Sequence, residues 1–297
     1  MEFCKNKIDV HAHATYWEDM PRTSWHYLLT ANELLEFYDR LGVEKGLLLP
    51  LCSPEEQCVL ETTETVRLTA QKHPDRFFWS MNLDPRMISQ KELPDFSGVI
   101  EYYEALGAKS VGELTANLSI DDPRYQNLLA QCQEHDMPIT IHMSPRENYR
   151  YGMVDDVGLP RLEKLLKTFP KLKVLGHSQS FWAHMSTNVD EETMYGYPKG
   201  KVEPGRLVQL MEKYDNLYCD LSAGSGYNGL SRDDDHAEKF IKDFGDRILF
   251  ALDICLPTNN PKLPAWLDRM YAEGRISKEN YWNICRNNAI RVLKLDV

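Results

Sequence analysis

Eight short apolar, β-rich runs recur along this chain at intervals of roughly 30 to 45 residues, with helical patterns between them. They are KIDVHAH (7–13), GLLLPL (46–51), FFWSMNL (77–83), KSVGELT (109–115), PITIHMS (138–144), KVLGHS (173–178), NLYCDLS (216–222) and ILFALD (248–253). Alternation of this kind predicts crossover connections and therefore a parallel sheet. Eight such units favour a closed (β/α)8 barrel over an open doubly wound sheet, partly because no Gly-x-Gly-x-x-Gly fingerprint follows the first run. A barrel typically uses about 250 residues, and the chain has 297. With no low-complexity tract or linker, the expectation is one barrel domain over residues 1–297.

The intervening segments carry recognisable ends. Thr30-Ala-Asn-Glu33 reads as a capping box before LLEFYDRLG, and Gly42 can supply the left-handed turn that stops that helix. Similar helical patterns occur in PRYQNLLAQCQEHD, LPRLEKLLKTFP and PGRLVQLMEKYDN.

Composition narrows the class of protein. No apolar run approaches the roughly 20 residues of a membrane span, and MEFCKNKIDV lacks the apolar stretch of a signal peptide, so a cytosolic location is expected. Seven scattered cysteines without a Cys-x-x-Cys pair make neither a disulfide framework nor a zinc ribbon. A formal net charge of −11 and the absence of a long basic cluster argue against nucleic acid as a partner. A small molecule is the expected partner, with an anionic one favoured by the loops described below, and a homo-oligomer is left open.

In a parallel barrel every C-terminal strand end opens onto one mouth. Those ends carry His11 and His13 on the first run, Glu113 on the fourth, His142 on the fifth, His177 on the sixth and Asp253 on the eighth. Alone, each has an ordinary reading: His142 or His177 as a hydrogen-bonded core histidine, Glu113 as half of an ion pair, Asp253 as a turn cap. Together they are imidazole and carboxylate ligands suited to Zn²⁺, Mn²⁺ or Fe²⁺, and the lack of thiolates argues against a structural zinc site. Strand alternation puts Asp9 on the face of His11 and His13, deeper in the barrel, where it would support the site without ligating. His73, His135 and His236 fall away from the strand tips and are left out.

This ordered set, Asp-x-His-x-His then Glu, His, His and Asp, resembles the amidohydrolase superfamily, specifically the amidohydrolase-related (amidohydrolase-2) branch that also contains aromatic-acid decarboxylases. The resemblance spans nearly the whole chain. It implies that His11, His13 and Asp253 hold a divalent metal. In binuclear members Glu113 would bridge to a second ion held by His142 and His177. In mononuclear members His142 would bind the single ion and His177 would act on the substrate. Asp253 would be the proton-transferring residue of a metal-dependent hydrolase, the expected activity, and His177 the other candidate catalytic residue. Decarboxylase relatives often carry Gly-His-x-Gly-Glu where this chain has Gly176-His-Ser-Gln-Ser180, which disfavours, without removing, a lyase reading. A barrel that binds metal without catalysis is the third alternative.

Loops set substrate choice in barrels. The longest, Gln179 to about Val202, contains Phe181, Trp182, Tyr195, Tyr197, Lys199 and Lys201, which could form an apolar lid with cationic tips. Candidate substrate contacts are Trp182 on that loop, Arg146 shortly after His142, and Tyr227 and Asn228 at the end of Ser222-Ala-Gly-Ser-Gly-Tyr-Asn228. Cys52 and Cys255, also near the mouth, read as small packing residues.

Overall fold

The structure is a computed structural model that describes residues 2–24, 26–56, 58–87 and 93–297. Its parallel strands are β1 (Lys7–Ala12), β2 (Val43–Leu48), β3 (Phe77–Trp79), β4 (Val111–Leu114), β5 (Ile139–Ser144), β6 (Met153–Val154), β7 (Val174–His177), β8 (Leu217–Asp220) and β9 (Ile248–Leu249). All eight runs expected from sequence form strands. The two-residue β6 is additional and pairs with Met143 and Ser144 at the end of β5.

Strands β1 to β3 form one ladder and β4, β5, β7, β8 and β9 another. Backbone hydrogen bonds join them at both seams. Lys109 N donates to Trp79 O at 3.0 Å and Gly112 N to Met81 O at 2.8 Å, while Val10 N donates to Phe250 O at 3.1 Å and Asp253 N to His11 O at 2.9 Å. The result is a (β/α)8 (TIM) barrel.

Two apolar clusters follow from the alternation. The larger lies between strands and helices, where Leu48, Val174, Cys219 and Ile248 meet helix residues such as Leu34, Leu128 and Leu210. The smaller unites Ile8, Val10, Leu47, Leu175, Leu249 and Ala251 with Val292 and Leu293 of the last helix. Leu47 and Leu175 sit on β2 and β7, which are not neighbours, so they meet inside the barrel, a packed core.

The helices begin and end where the sequence indicates. Helix Ala31–Leu41 has the Thr30–Glu33 capping box and stops at Gly42 in the left-handed region, φ 68°. Helices Pro123–Glu134, Pro160–Thr168 and Arg206–Lys213 occupy the other three patterns. Among the described residues no helix is long and apolar enough to cross a membrane.

One expectation on β1 is corrected. The register slips between Asp9 and Ala12, so Asp9 does not share a face with His11 and His13. Its carboxylate points outward, accepting from the Tyr38 hydroxyl at 2.8 Å and from the backbone N–H groups of His11 and Leu252 at 3.0 and 2.9 Å. A fully buried acid thus satisfies the His11 amide within the irregularity and the Leu252 amide beyond β9. Burial pushes its carboxyl up to about 7. The slip is also what turns His11, one residue beyond the inward Val10, toward the mouth.

Candidate metal centre

All six strand-end residues converge. His11 lies within the register slip of β1 and His13 just past the end of that strand. Glu113 follows Gly112, whose φ of 136° and 2.6 Å clearance from the Thr140 carbonyl for any added Cβ exclude a larger residue. His142 and His177 are register partners on adjacent strands β5 and β7. Asp253 lies beyond β9 in the left-handed region, φ 50°, its backbone N–H held by the His11 carbonyl.

The geometry around Glu113 organises the cluster. Its Oε2 is 3.4 Å from Nε2 of both His11 and His13, and those two nitrogens are 3.1 Å apart. Ligand atoms around a tetrahedral ion with bonds of 2.0–2.1 Å are separated by about 3.3 Å, so this triangle fits one divalent cation. Its Oε1 turns the other way, 2.7 Å from His142 Nδ1 and 3.7 Å from His177 Nε2. Asp253 spans both halves: Oδ1 is 3.9 and 3.7 Å from Nε2 of His11 and His13, and Oδ2 is 4.0 Å from Nε2 of His177. Three overlapping triads could each hold an ion, namely His11–His13–Glu113, Glu113–His142–His177 and His11–His177–Asp253.

Hydrogen bonds behind the cluster orient the rings. His11 Nδ1 donates to Asp220 Oδ2 at 2.7 Å and His13 Nδ1 to the Leu49 carbonyl at 3.0 Å. Both partners only accept, so the proton sits on Nδ1 and Nε2 is turned to the centre. His177 Nδ1 lies 2.6 Å from Ser222 Oγ, and the Ser222 amide is fixed on Asp220 Oδ1 at 2.8 Å.

The electrostatics favour a cation. Burial opposes a charged His11, yet Asp220 and Glu113 outweigh it and raise its proton affinity well above the ordinary value. The same carboxylates raise its basicity toward a metal. Burial would raise the Glu113 carboxyl, but the facing His11 and His142 hold it well below the usual range. His177 is pushed down to about 4, by burial first and by His11 second. The cluster therefore pairs an ionised carboxylate with a neutral imidazole, a donor set that fits a divalent metal.

The candidate substrate contacts separate. Tyr227 and Asn228 line a cleft of about 610 Å³ whose lining includes Asp253. Trp182 does not reach it: the residue is 2 % exposed, and its indole N–H donates to the Asp220 carbonyl at 3.0 Å. Arg146 lies over the Tyr149 ring at 4.6 Å and lines another cleft, with Tyr195 and Glu191. The expected lid is corrected in part. Phe181 and Trp182 belong to a short buried helix, Gln179–Ala183, and Lys201 pairs with Asp235, while Tyr197 remains at the cleft. Cys255 does more than pack, since its thiol donates to Asp253 Oδ1 at 3.0 Å. Asp220 and Ser222 were missed as site residues. The one sequence signal for Asp220 is that NLYCD, like ILFALD, ends in a carboxylate on the inward face.

A closed (β/α)8 barrel with a histidine–carboxylate cluster at its C-terminal mouth defines the class: a barrel built to hold a divalent cation where loops meet. The chain belongs to the amidohydrolase family, whose model matches residues 8–295. Solved structures of similar fold include 2,6-dihydroxybenzoate decarboxylase from Rhizobium, at 18% identity and a TM-score of 0.60, covering 98% of this chain and 99% of that one. A 5-carboxyvanillate decarboxylase from Novosphingobium aromaticivorans, complexed with manganese, matches at 16% identity and 0.61, with 98% and 96% covered. A probable 2-pyrone-4,6-dicarboxylic acid hydrolase from Acinetobacter baumannii, with citric acid bound, matches at 14% and 0.58, with 98% and 100% covered. No curated protein sequence matches the chain.

Proposed function

We propose that the protein is a metal-dependent hydrolase of a small ester, lactone, amide or related carboxylate-type substrate. The observation that carries this reading is the division of Glu113, with Oε2 on the His11–His13 pair and Oε1 on the His142–His177 pair. A carboxylate facing two ligand sets suits a hydrolytic centre with one or two ions better than a site where one metal merely grips a substrate. When bound, such an ion, zinc before manganese or iron(II), would polarise the scissile carbonyl and bring the pKa of a water to about 7.

The chain's own residues supply the rest. His11, His13 and Asp253 would hold one ion, His142 and His177 a second, and Glu113 would lie between. Asp253 takes the proton of the attacking water and passes it to the leaving group. Its side chain is 20% exposed and lines the cleft, and its Oδ1 is oriented by the Cys255 thiol. Where a single ion is bound, His177 would instead be free of metal, and, kept neutral by burial and held at Nδ1 by Ser222, it can accept or relay a hydrogen bond through Nε2 at the reacting atoms without adding charge. A soluble, cytoplasmic enzyme acting on a small molecule is consistent with the sequence.

A second reading is a metal-dependent decarboxylase of an aromatic or unsaturated acid, favoured by the decarboxylases among the similar structures. His177 would then deliver the proton to carbon as CO₂ leaves. Metal-loaded protein assayed for acid release from lactones, esters and amides, beside CO₂ release from hydroxybenzoates, separates the two. Hydrolysis without CO₂ release supports the proposal, and CO₂ release alone overturns it. A metal-loaded protein inert on both panels would indicate a non-catalytic barrel.

A further inference from the structure

The cleft beside Asp253 has an uneven polar lining. One wall is the helix that follows β8, Ala223–Ser231, with Tyr227 and Asn228, and the other is the segment after β9, with Asn259, Asn260 and Lys262. Asn259 is already used, since its Oδ1 accepts the N–H groups of Cys255 and Leu256, each at 2.8 Å. The side chains of Tyr227, Asn228, Asn260 and Lys262 make no hydrogen bond or ion pair with the described residues, although Tyr227 packs edge-on against Trp266.

Lys262 is the one cationic side chain lining this cleft among the described residues, and Asp253 is the one acid. Arg269 pairs with Asp234, and Arg275 and Lys201 with Asp235. Lys262 keeps its charge available. The same lining carries amides and a phenol. An amide both donates and accepts, so it matches hydroxyls, which do the same. An ammonium group beside a cleft matches one carboxylate as a point charge.

We infer that Lys262 anchors a remote carboxylate of the substrate while Asn228 and Asn260 bind its hydroxyl groups, so that the substrate is a hydroxylated lactone, ester or amide carrying a single free carboxylate. The inference rests on the hydrolytic reading for the bond that is broken. The bond to the acyl carbon forms from water oxygen, the bond to the leaving oxygen or nitrogen breaks, and one proton passes from water to the leaving group. A lactone opens to a single hydroxylated dicarboxylate, and an ester or amide whose acyl part bears the free carboxylate gives that dicarboxylate together with an alcohol or amine.

Binding tests this without turnover. Metal-loaded wild-type protein is titrated calorimetrically with D-glucarate and with D-gluconate, which lacks the second carboxylate. Glucarate binds at least about tenfold more tightly, Lys262→Met removes that preference without changing gluconate affinity, and Lys262→Arg keeps it. Equal affinities in the wild type, or a preference that survives Lys262→Met, overturn the subsite. The lactones of the two acids form the kinetic arm, where kcat/KM shows the same preference and the same loss. If the binding preference depends on Lys262 while neither lactone is hydrolysed, the subsite stands and the hydrolytic reading fails.

Discussion

Asp220 Oδ2 accepts the Nδ1 proton of His11 at 2.7 Å, and both side chains are completely buried. A residue on β8 thereby fixes which nitrogen of a β1 histidine faces the centre. Partners of this kind typically govern metal affinity by about 10–100-fold. Asp220→Asn is expected to weaken metal binding by about that factor in competition with a chelator, while circular dichroism shows an intact fold. Unchanged affinity would remove the role assigned to the pair.

Ser222 plays the corresponding part for His177, with its hydroxyl 2.6 Å from Nδ1. Ser222→Ala leaves that nitrogen without its hydroxyl partner and frees the ring to rotate. The expected result is a fall in kcat of about tenfold with KM nearly unchanged, largely rescued by Ser222→Thr. A change in KM alone would point to substrate contact instead.

Asp253 is the proposed proton carrier, so Asp253→Asn is expected to abolish turnover in a folded protein. The substitution keeps shape and removes basicity. Activity assays beside a thermal melt make the comparison, and undiminished turnover would contradict the mechanism.

Asp155 tests the fold independently of the chemistry. It is fully buried and accepts from the amides of Asp156, Arg161 and Leu162 at 2.8, 3.0 and 2.8 Å. It caps helix Pro160–Thr168, whose preceding residue Leu159 offers no side-chain cap. Asp155→Ala leaves buried N–H groups unpaired, at a cost of about 1–3 kcal/mol, seen as a fall of about 2–6 °C in melting temperature.

The barrel was legible because each strand is a short apolar run set between helical patterns. The six residues of the centre were legible because parallel topology sends every strand end to one mouth. Asp9 was misplaced because a register slip is a property of pairing with β2 and leaves no mark in the run KIDVHAH itself. Asp220 was missed because its partner lies 209 residues away, and a strand-end Asp reads locally as a turn residue. Trp182 was misread because an aromatic pair in a long loop looks like a lid until the helix at Gln179–Ala183 folds it against β8. Arg146 stacks on a tyrosine three residues ahead, a choice of rotamer that spacing does not fix.

Glu113 lies between two ligand pairs and is expected to hold divalent metal with them. Crystals grown with manganese and measured at its absorption edge test it most directly. Anomalous density is expected at Glu113, one peak against His11 and His13 at full occupancy and a second against His142 and His177 if both sets are filled. A metal-replete crystal with no anomalous peak within bonding distance of Glu113, His11 and His13 would contradict it.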